Sequence, residues 1–183
     1  MRILAISGSL RAQSTNTSLL RAAALIVPSP LELVLYERME TLPAFNPDLG
    51  LEPGPEPVMR FRAELRSSDA VVFSTPEYAH GIPGALKNAL DWVVGSGELS
   101  GKPVALMNAS ARGEYAQAAL REVLKAMDAR LISEAEITLP LLGKGLDPLE
   151  IAGDPEFAAL IGRSVQSIAE CAKANVALER TRG

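Results

Sequence analysis

Five short apolar runs alternate with stretches of helical period along this chain, and that alternation constrains its fold more than any other feature. Arg2–Ser7 is nearly continuous in apolar residues and stops at Gly8, as a strand buried on both faces does. Over Asn16–Val27, Leu19, Ala23 and Ile26, with Leu20, Ala24 and Val27, make one helical stripe that Pro28 and Pro30 end. The spacing then predicts a strand over Leu31–Tyr36, a helix over Val58–Arg66, a third strand over Ala70–Ser74 and a helix over Pro83–Val94. It goes on to a strand over Pro103–Ala109, a helix over Glu114–Met127 and a fifth strand over Leu131–Thr138, followed by a Pro/Gly-rich connection. A last long helix is predicted over Pro155–Glu179. Between the second strand and the next helix, Glu37–Pro57 carries five prolines and no period, so it reads as a long loop, a class that is usually functional or disordered.

Strands separated in turn by helices give a parallel sheet covered on both faces, an α/β fold. The 183 residues fit one domain, read as 1–183. In such sheets ligands sit beyond the carboxyl ends of the strands, near the switch in strand order. The loops after the first, third and fourth strands are therefore the candidate site.

Composition narrows the class. Against 22 Asp+Glu stand 18 Lys+Arg, a net charge of -4, which argues against a nucleic-acid partner. Cys171 is the single cysteine, so no internal disulfide forms and a reducing compartment is expected; on the inner side of the last helix it reads as packing. His80 is the single histidine, which excludes a zinc site built on several histidines, and no acidic or Cys cluster replaces one. No apolar stretch reaches the ~18–20 residues of a membrane helix. The run in MRILAISGSL is too short for a signal peptide and lacks a cleavage pattern, so a cytoplasmic protein is expected.

The loop from Gly8 to Thr17 runs straight into a helix and concentrates hydroxyls, an amide and a guanidinium there. Free N–H groups and the positive end of the helix dipole favour an anion at that place. Ser9, Ser14 and Thr17 can donate to phosphate oxygens and Arg11 can pair with the charge. There is no G-K-[ST] and no G-x-G-x-x-G, and a single glycine suits a monophosphate better than a triphosphate. The plainer reading is an N-cap at Ser14 or Thr15 in a polar loop. In the second loop, Thr75 to Gly84, two prolines hold the backbone and Gly81 permits close approach of a flat ligand. N–H groups around Ala79–Gly81 are candidates to face a ring edge, with Tyr78 beside the ring. Tyr78 and His80 also read as ordinary surface loop residues, since spacing gives His80 no partner carboxylate for proton transfer. In the third loop, Asn108 to Glu114, Ser110 and Gly113 stand at another helix start and can present N–H groups to a carbonyl edge; there, too, the plainer reading is an entry turn capped by Ser110.

GSLRAQSTNTSLL after the first strand and PEYAHGIPGALKNALDWV after the third, with LPAFNPDL in the long loop, resemble the NADPH-dependent FMN reductase family, and the resemblance covers nearly the whole chain. It implies a flavodoxin-like three-layer sandwich with five parallel strands in the order 2-1-3-4-5. It implies FMN as cofactor, NADPH or NADH as co-substrate and a quinone, free flavin, azo or metal-ion acceptor. Ser9, Arg11, Ser14, Asn16 and Thr17 would hold the phosphate; Pro76, Glu77, Tyr78, Ala79, His80 and Gly81 would line the ring and ribityl chain; Ser110 and Gly113 would meet the pyrimidine edge. The chain departs from the family in having Ala79 where many members have Asn, and Arg112-Gly113-Glu114-Tyr115 where many carry paired glycines. Members are usually homodimers or homotetramers; Trp92, beside the four-apart pair Lys87 and Asp91, reads equally as interface or core. No residue is assigned acid or base catalysis, because the flavin carries the chemistry. Two further readings stay open: a flavodoxin-type electron carrier without a nicotinamide site, and a flavin-free regulatory or scaffold domain on the same fold.

Overall fold

A computed structural model describes residues 1–50 and 53–182, with side chains as far as Asn175. Strands β1 (Arg2–Ser7), β2 (Glu32–Leu35), β3 (Ala70–Ser74) and β4 (Pro103–Asn108) pair in parallel in the order 2-1-3-4. β1 lies between β2 and β3: Ile3 stands opposite Leu33 on one side and Ala70 on the other. Helices α1 (Thr15–Ile26), α2 (Glu56–Arg66), α3 (Gly84–Val94) and α4 (Glu114–Ala126) supply the crossovers.

The near-continuous apolar strands divide their side chains between two cores. Ile3, Ala5, Ala70, Val72, Ala105 and Met107 face α1 and the terminal helix α6 (Pro155–Arg182). Leu4, Ile6, Val71, Phe73, Val104 and Leu106 face α2, α3 and α4. Strands without a polar face are the reason helices must cover both sides. The result is a flavodoxin-like α/β fold.

Apart from small shifts at element ends, the structure departs from the sequence-based elements in three places. The fifth strand is not continuous over Leu131–Thr138: it is divided into β5 (Arg130–Leu131) and β6 (Ile137–Thr138), both paired with β4, by a 3-10 turn at Ser133–Ala135. Ser133 and Glu134 break the apolar run, while Ala135 is drawn into the core. Within the Pro/Gly-rich connection a short helix α5 (Pro148–Gly153) forms, started by a reciprocal capping box between Asp147 and Glu150. The long loop carries 3-10 turns at Met39–Thr41 and Pro47–Leu49 and enters α2 at Glu56. It is tied to α3: the Pro43 carbonyl accepts from Trp92 Nε1 at 2.8 Å and Asn88 Nδ2 at 2.9 Å, while the Phe45 N–H donates to Asn88 Oδ1 at 2.7 Å. Trp92 is accordingly fully buried core. Lys87 and Asp91 pair along α3.

Away from the carboxyl ends of the strands, Arg62 and Glu98 form a buried ion pair, with Nε to Oε1 at 2.7 Å. Burial pushes the Glu98 carboxyl up; hydrogen bonds from Ser96 and Arg62, with the Arg62 charge, outweigh it and hold the group below its usual value.

Candidate functional site

β1 and β3 are neighbours, but their following helices leave on opposite faces of the sheet, so a crevice opens beyond their carboxyl ends. Gly8 closes the two loops against each other. Its N–H donates to the Ser74 carbonyl at 2.8 Å, and a Cβ there would lie 2.2 Å from Thr75 Oγ1 and 2.8 Å from Thr75 Cβ. Any larger residue would push the first loop off the second. Asn16 ties them again, its Oδ1 accepting from Ser74 Oγ at 2.9 Å.

The crevice has a volume of about 250 Å³ and is walled by Ser9, Arg11, Ser14 and Asn16 from the first loop, Pro76, Glu77 and Tyr78 from the second, and Ser110 and Gly113 from the third. Of the residues singled out in the sequence, these nine are brought together. Ser14 is the N-cap of α1, its Oγ accepting from the Thr17 N–H at 3.3 Å. Capping uses the hydroxyl as an acceptor, so its proton stays available to a ligand. Ser9 Oγ likewise accepts from the Arg11 N–H at 3.3 Å and keeps its own proton. The N–H groups of Thr15 and Asn16, in the first turn of α1, have no protein acceptor among the described residues. Hydroxyls, open N–H groups and the Arg11 guanidinium thus gather at one helix start. That donor set suits a phosphate monoester.

Four expected residues fall outside the crevice. Thr17 lines the other side of the first loop, where its hydroxyl pairs with that of Ser7 at the end of β1, Oγ1 to Oγ at 2.7 Å. Ala79, His80 and Gly81 form a tight turn in which Tyr78 and Gly81 exchange backbone hydrogen bonds of 3.0 Å each. The Gly81 N–H is therefore spent within the turn. Ala79 and His80 both have positive φ, +49° and +59°, a conformation that costs L-residues about 1–2 kcal/mol each. His80 stacks on Tyr115 at the start of α4, with ring centroids 4.4 Å apart and planes at 17°, so its ring bridges the second and third loops.

Glu77 plays a part that its position did not advertise. α4 has no side-chain cap from its own Gly113, and Ser110 Oγ instead accepts from the Arg112 N–H at 3.1 Å. Glu77 Oε2 accepts from the Ala116 N–H at 3.0 Å and supplies the cap from across the crevice. Its carboxylate complements the helix dipole of α4, and the crevice it lines also holds Arg11 and Arg112. Thr15, Thr75, Ala109, Arg112 and Leu142 complete the lining. Arg112, Thr75 and Ala109 belong to loops already singled out; Leu142 comes from the connection after β6, where no motif pointed to it.

A switch-point crevice with a phosphate-suited helix start marks a flavodoxin-like flavoprotein. Comparison with known proteins narrows this: the chain belongs to the NADPH-dependent FMN reductase family, whose model matches residues 1–141. An NAD(P)H-dependent FMN reductase of Pseudomonas aeruginosa is 34% identical over 174 residues, covering 92% of this chain and 93% of the relative. A quinone reductase of Escherichia coli is 31% identical over 154 residues, covering 81% and 82%. Among solved structures, a flavoenzyme NAD(P)H:(acceptor) oxidoreductase of Paracoccus denitrificans superposes with a TM-score of 0.77 at 28% identity, over 94% of this chain and 97% of that one. The protein is an FMN-dependent NAD(P)H oxidoreductase, and the electron-carrier alternative gives way to that class. Among the described residues no helix is long and apolar enough to cross a membrane.

Proposed function

We propose that the FMN phosphate sits at the start of α1, against Ser9, Arg11, Ser14 and the open N–H groups of Thr15 and Asn16, and that the flavin ring lies toward Pro76, Tyr78, Ser110 and Gly113. The observation that carries this reading is the donor set at the α1 start, opposite a second helix start at Gly113. The chemistry the flavin supplies when bound is hydride transfer, from NADPH or NADH to a quinone, free flavin, azo or metal-ion acceptor. The chain's own residues bind and orient. Arg11 and Arg112 neutralise anionic charge, and the Glu77 cap with the His80–Tyr115 stack fixes the spacing of the second and third loops. A quinone is the acceptor we favour, in line with the E. coli relative. The protein works as one domain over residues 1–183, in the cytoplasm, as a homodimer or homotetramer.

FMN-loaded protein is expected to oxidise NADPH or NADH with a quinone present, at a rate proportional to flavin content. Purified protein that binds FMN but leaves both nicotinamides unoxidised would refute the reading.

A further inference from the structure

Behind the third loop lies a pair of buried amides that does not itself line the crevice. Asn108 ends β4 and Gln117 stands in the first turns of α4; their exposure is 9% and 7%. Gln117 Nε2 donates to Asn108 Oδ1, and Asn108 Nδ2 donates to Thr138 Oγ1 on β6 at 3.4 Å. The three side chains join α4, β4 and β6 at the carboxyl end of the sheet. Gln117 Oε1 is buried and has no hydrogen-bond partner among the described residues.

A buried acceptor left without a donor opposes folding, and an apolar side chain of the same length would avoid that cost. Stability therefore does not account for an amide at residue 117. Its placement does. The Gln117–Asn108 bond staples the strand that leads into the third loop to the helix that leads out of it, so the short loop between them has little room to shift. The same strand end carries the next wall. The Asn108 and Ala109 carbonyls accept from the N–H groups of Leu139 at 2.7 Å and Leu141 at 3.2 Å, and Leu142 follows at the crevice. Glu77 holds the N–H of Ala116, beside Gln117, from the second loop. The start of α4 is thus tied to the second loop by Glu77 and to the sheet by Gln117.

We propose that Gln117 and Asn108 are positioning residues of the oxidoreductase: their amide–amide bond sets where Ser110, Arg112 and Gly113 meet the flavin ring, and through that loop it tunes the flavin's reduction potential. The inference rests on the placing of the ring against the third loop and deepens it by naming what holds that loop. Reduction adds negative charge to the ring, so N–H groups and a guanidinium held close to it favour the reduced form. A loop free to withdraw loses part of that preference, while the phosphate anchor at the start of α1 is untouched.

The test is spectroelectrochemical titration of FMN-loaded protein, beside urea unfolding, for Gln117→Met, Asn108→Leu and the double variant, each substitution keeping nearly the native shape. In Gln117→Met, reduced FMN is expected to lose about tenfold more affinity than oxidised FMN, which lowers the two-electron midpoint potential by about 30 mV. The double variant should show the same shift and not twice it, because both substitutions remove one bond. Its urea midpoint should be no lower than the native one, since neither amide is left stranded. It also serves where a single variant, with one amide stranded, fails to fold. Gly113→Val is the control for the place of the ring: its new Cβ enters open space at the crevice, with nothing beyond its chain neighbours within 4 Å. A potential that moves with Gly113→Val and not with the double variant would overturn the positioning role and leave the ring's place standing. A potential and an FMN affinity that ignore Gly113→Val as well would refute the ring's place, and the inference with it.

Discussion

Replacing Gly8 with alanine tests how the crevice is held shut. A Cβ at residue 8 would lie 2.2 Å from Thr75 Oγ1, 2.8 Å from Thr75 Cβ and 3.1 Å from Leu86 Cδ2. A hydroxyl can turn away, but the Thr75 Cβ is fixed to a buried backbone and cannot. The first loop must therefore shift. Overpacking of this kind costs about 1–3 kcal/mol. For a chain of 183 residues that is roughly 2–4 °C in Tm per kcal/mol. The same shift moves Ser9 and the α1 start relative to Pro76, so FMN affinity should fall at least about tenfold, or about 1.4 kcal/mol. The three contacts also grade the rescue. In the Gly8→Ala background, Thr75→Ala removes only the 2.2 Å contact and should restore part of the loss, whereas Thr75→Gly removes both Thr75 contacts and should restore more. Urea unfolding of each single and double variant, with FMN titration of the same proteins, measures the coupling. Stability and FMN affinity of Gly8→Ala within error of the native protein, or additive effects with Thr75→Gly, would refute the argument.

Three further outcomes follow from other contacts. Arg11→Ala should weaken FMN binding by about 1.5–3 kcal/mol while leaving the urea midpoint nearly unchanged, since Arg11 is exposed and its side chain makes no hydrogen bond within the protein among the described residues. Glu77→Ala should cost about 1 kcal/mol of stability by uncapping α4, and Glu77→Gln, which keeps an acceptor oxygen, less than half of that; equal losses would remove the capping role. Glu98 titrates below its unfolded value of 4.5, so its contribution to stability is complete above about pH 4.5 and lost as pH falls through the lower folded value. Glu98→Gln should flatten the acid limb of an unfolding profile in that window, and an unchanged limb would contradict it.

Most of the fold was legible because the strands are apolar on both faces and each is bounded by a Gly, Ser or Pro signal. Ala70–Ser74 and Arg2–Ser7 have the bounds that their apolar runs predict. The fifth strand was not legible, since Ile132 and Ile137 keep an apolar look across a segment that Ser133 and Glu134 bend into a turn. Within the site, the first loop could be read because its chemistry is local: Ser14 caps the helix it precedes. The parts that escaped are non-local. Glu77 accepts from a helix-start N–H 39 residues away, and His80 finds Tyr115 only when the β3–α3–β4 crossover brings their loops together. A stretch of sequence does not say which side of the loop a first-turn residue faces, so the contact of the Thr17 hydroxyl with Ser7 could not be read from it. Trp92 offered core and interface equally until Pro43 supplied a partner for its indole N–H.

The central claim is that a phosphate anchored at the start of α1 holds the flavin, and comparing FMN with riboflavin tests it directly. The two differ only in that phosphate, so fluorescence titration of the apoprotein should show riboflavin binding at least about 100-fold more weakly than FMN. Equal affinity for the two, or none for either, would contradict the claim.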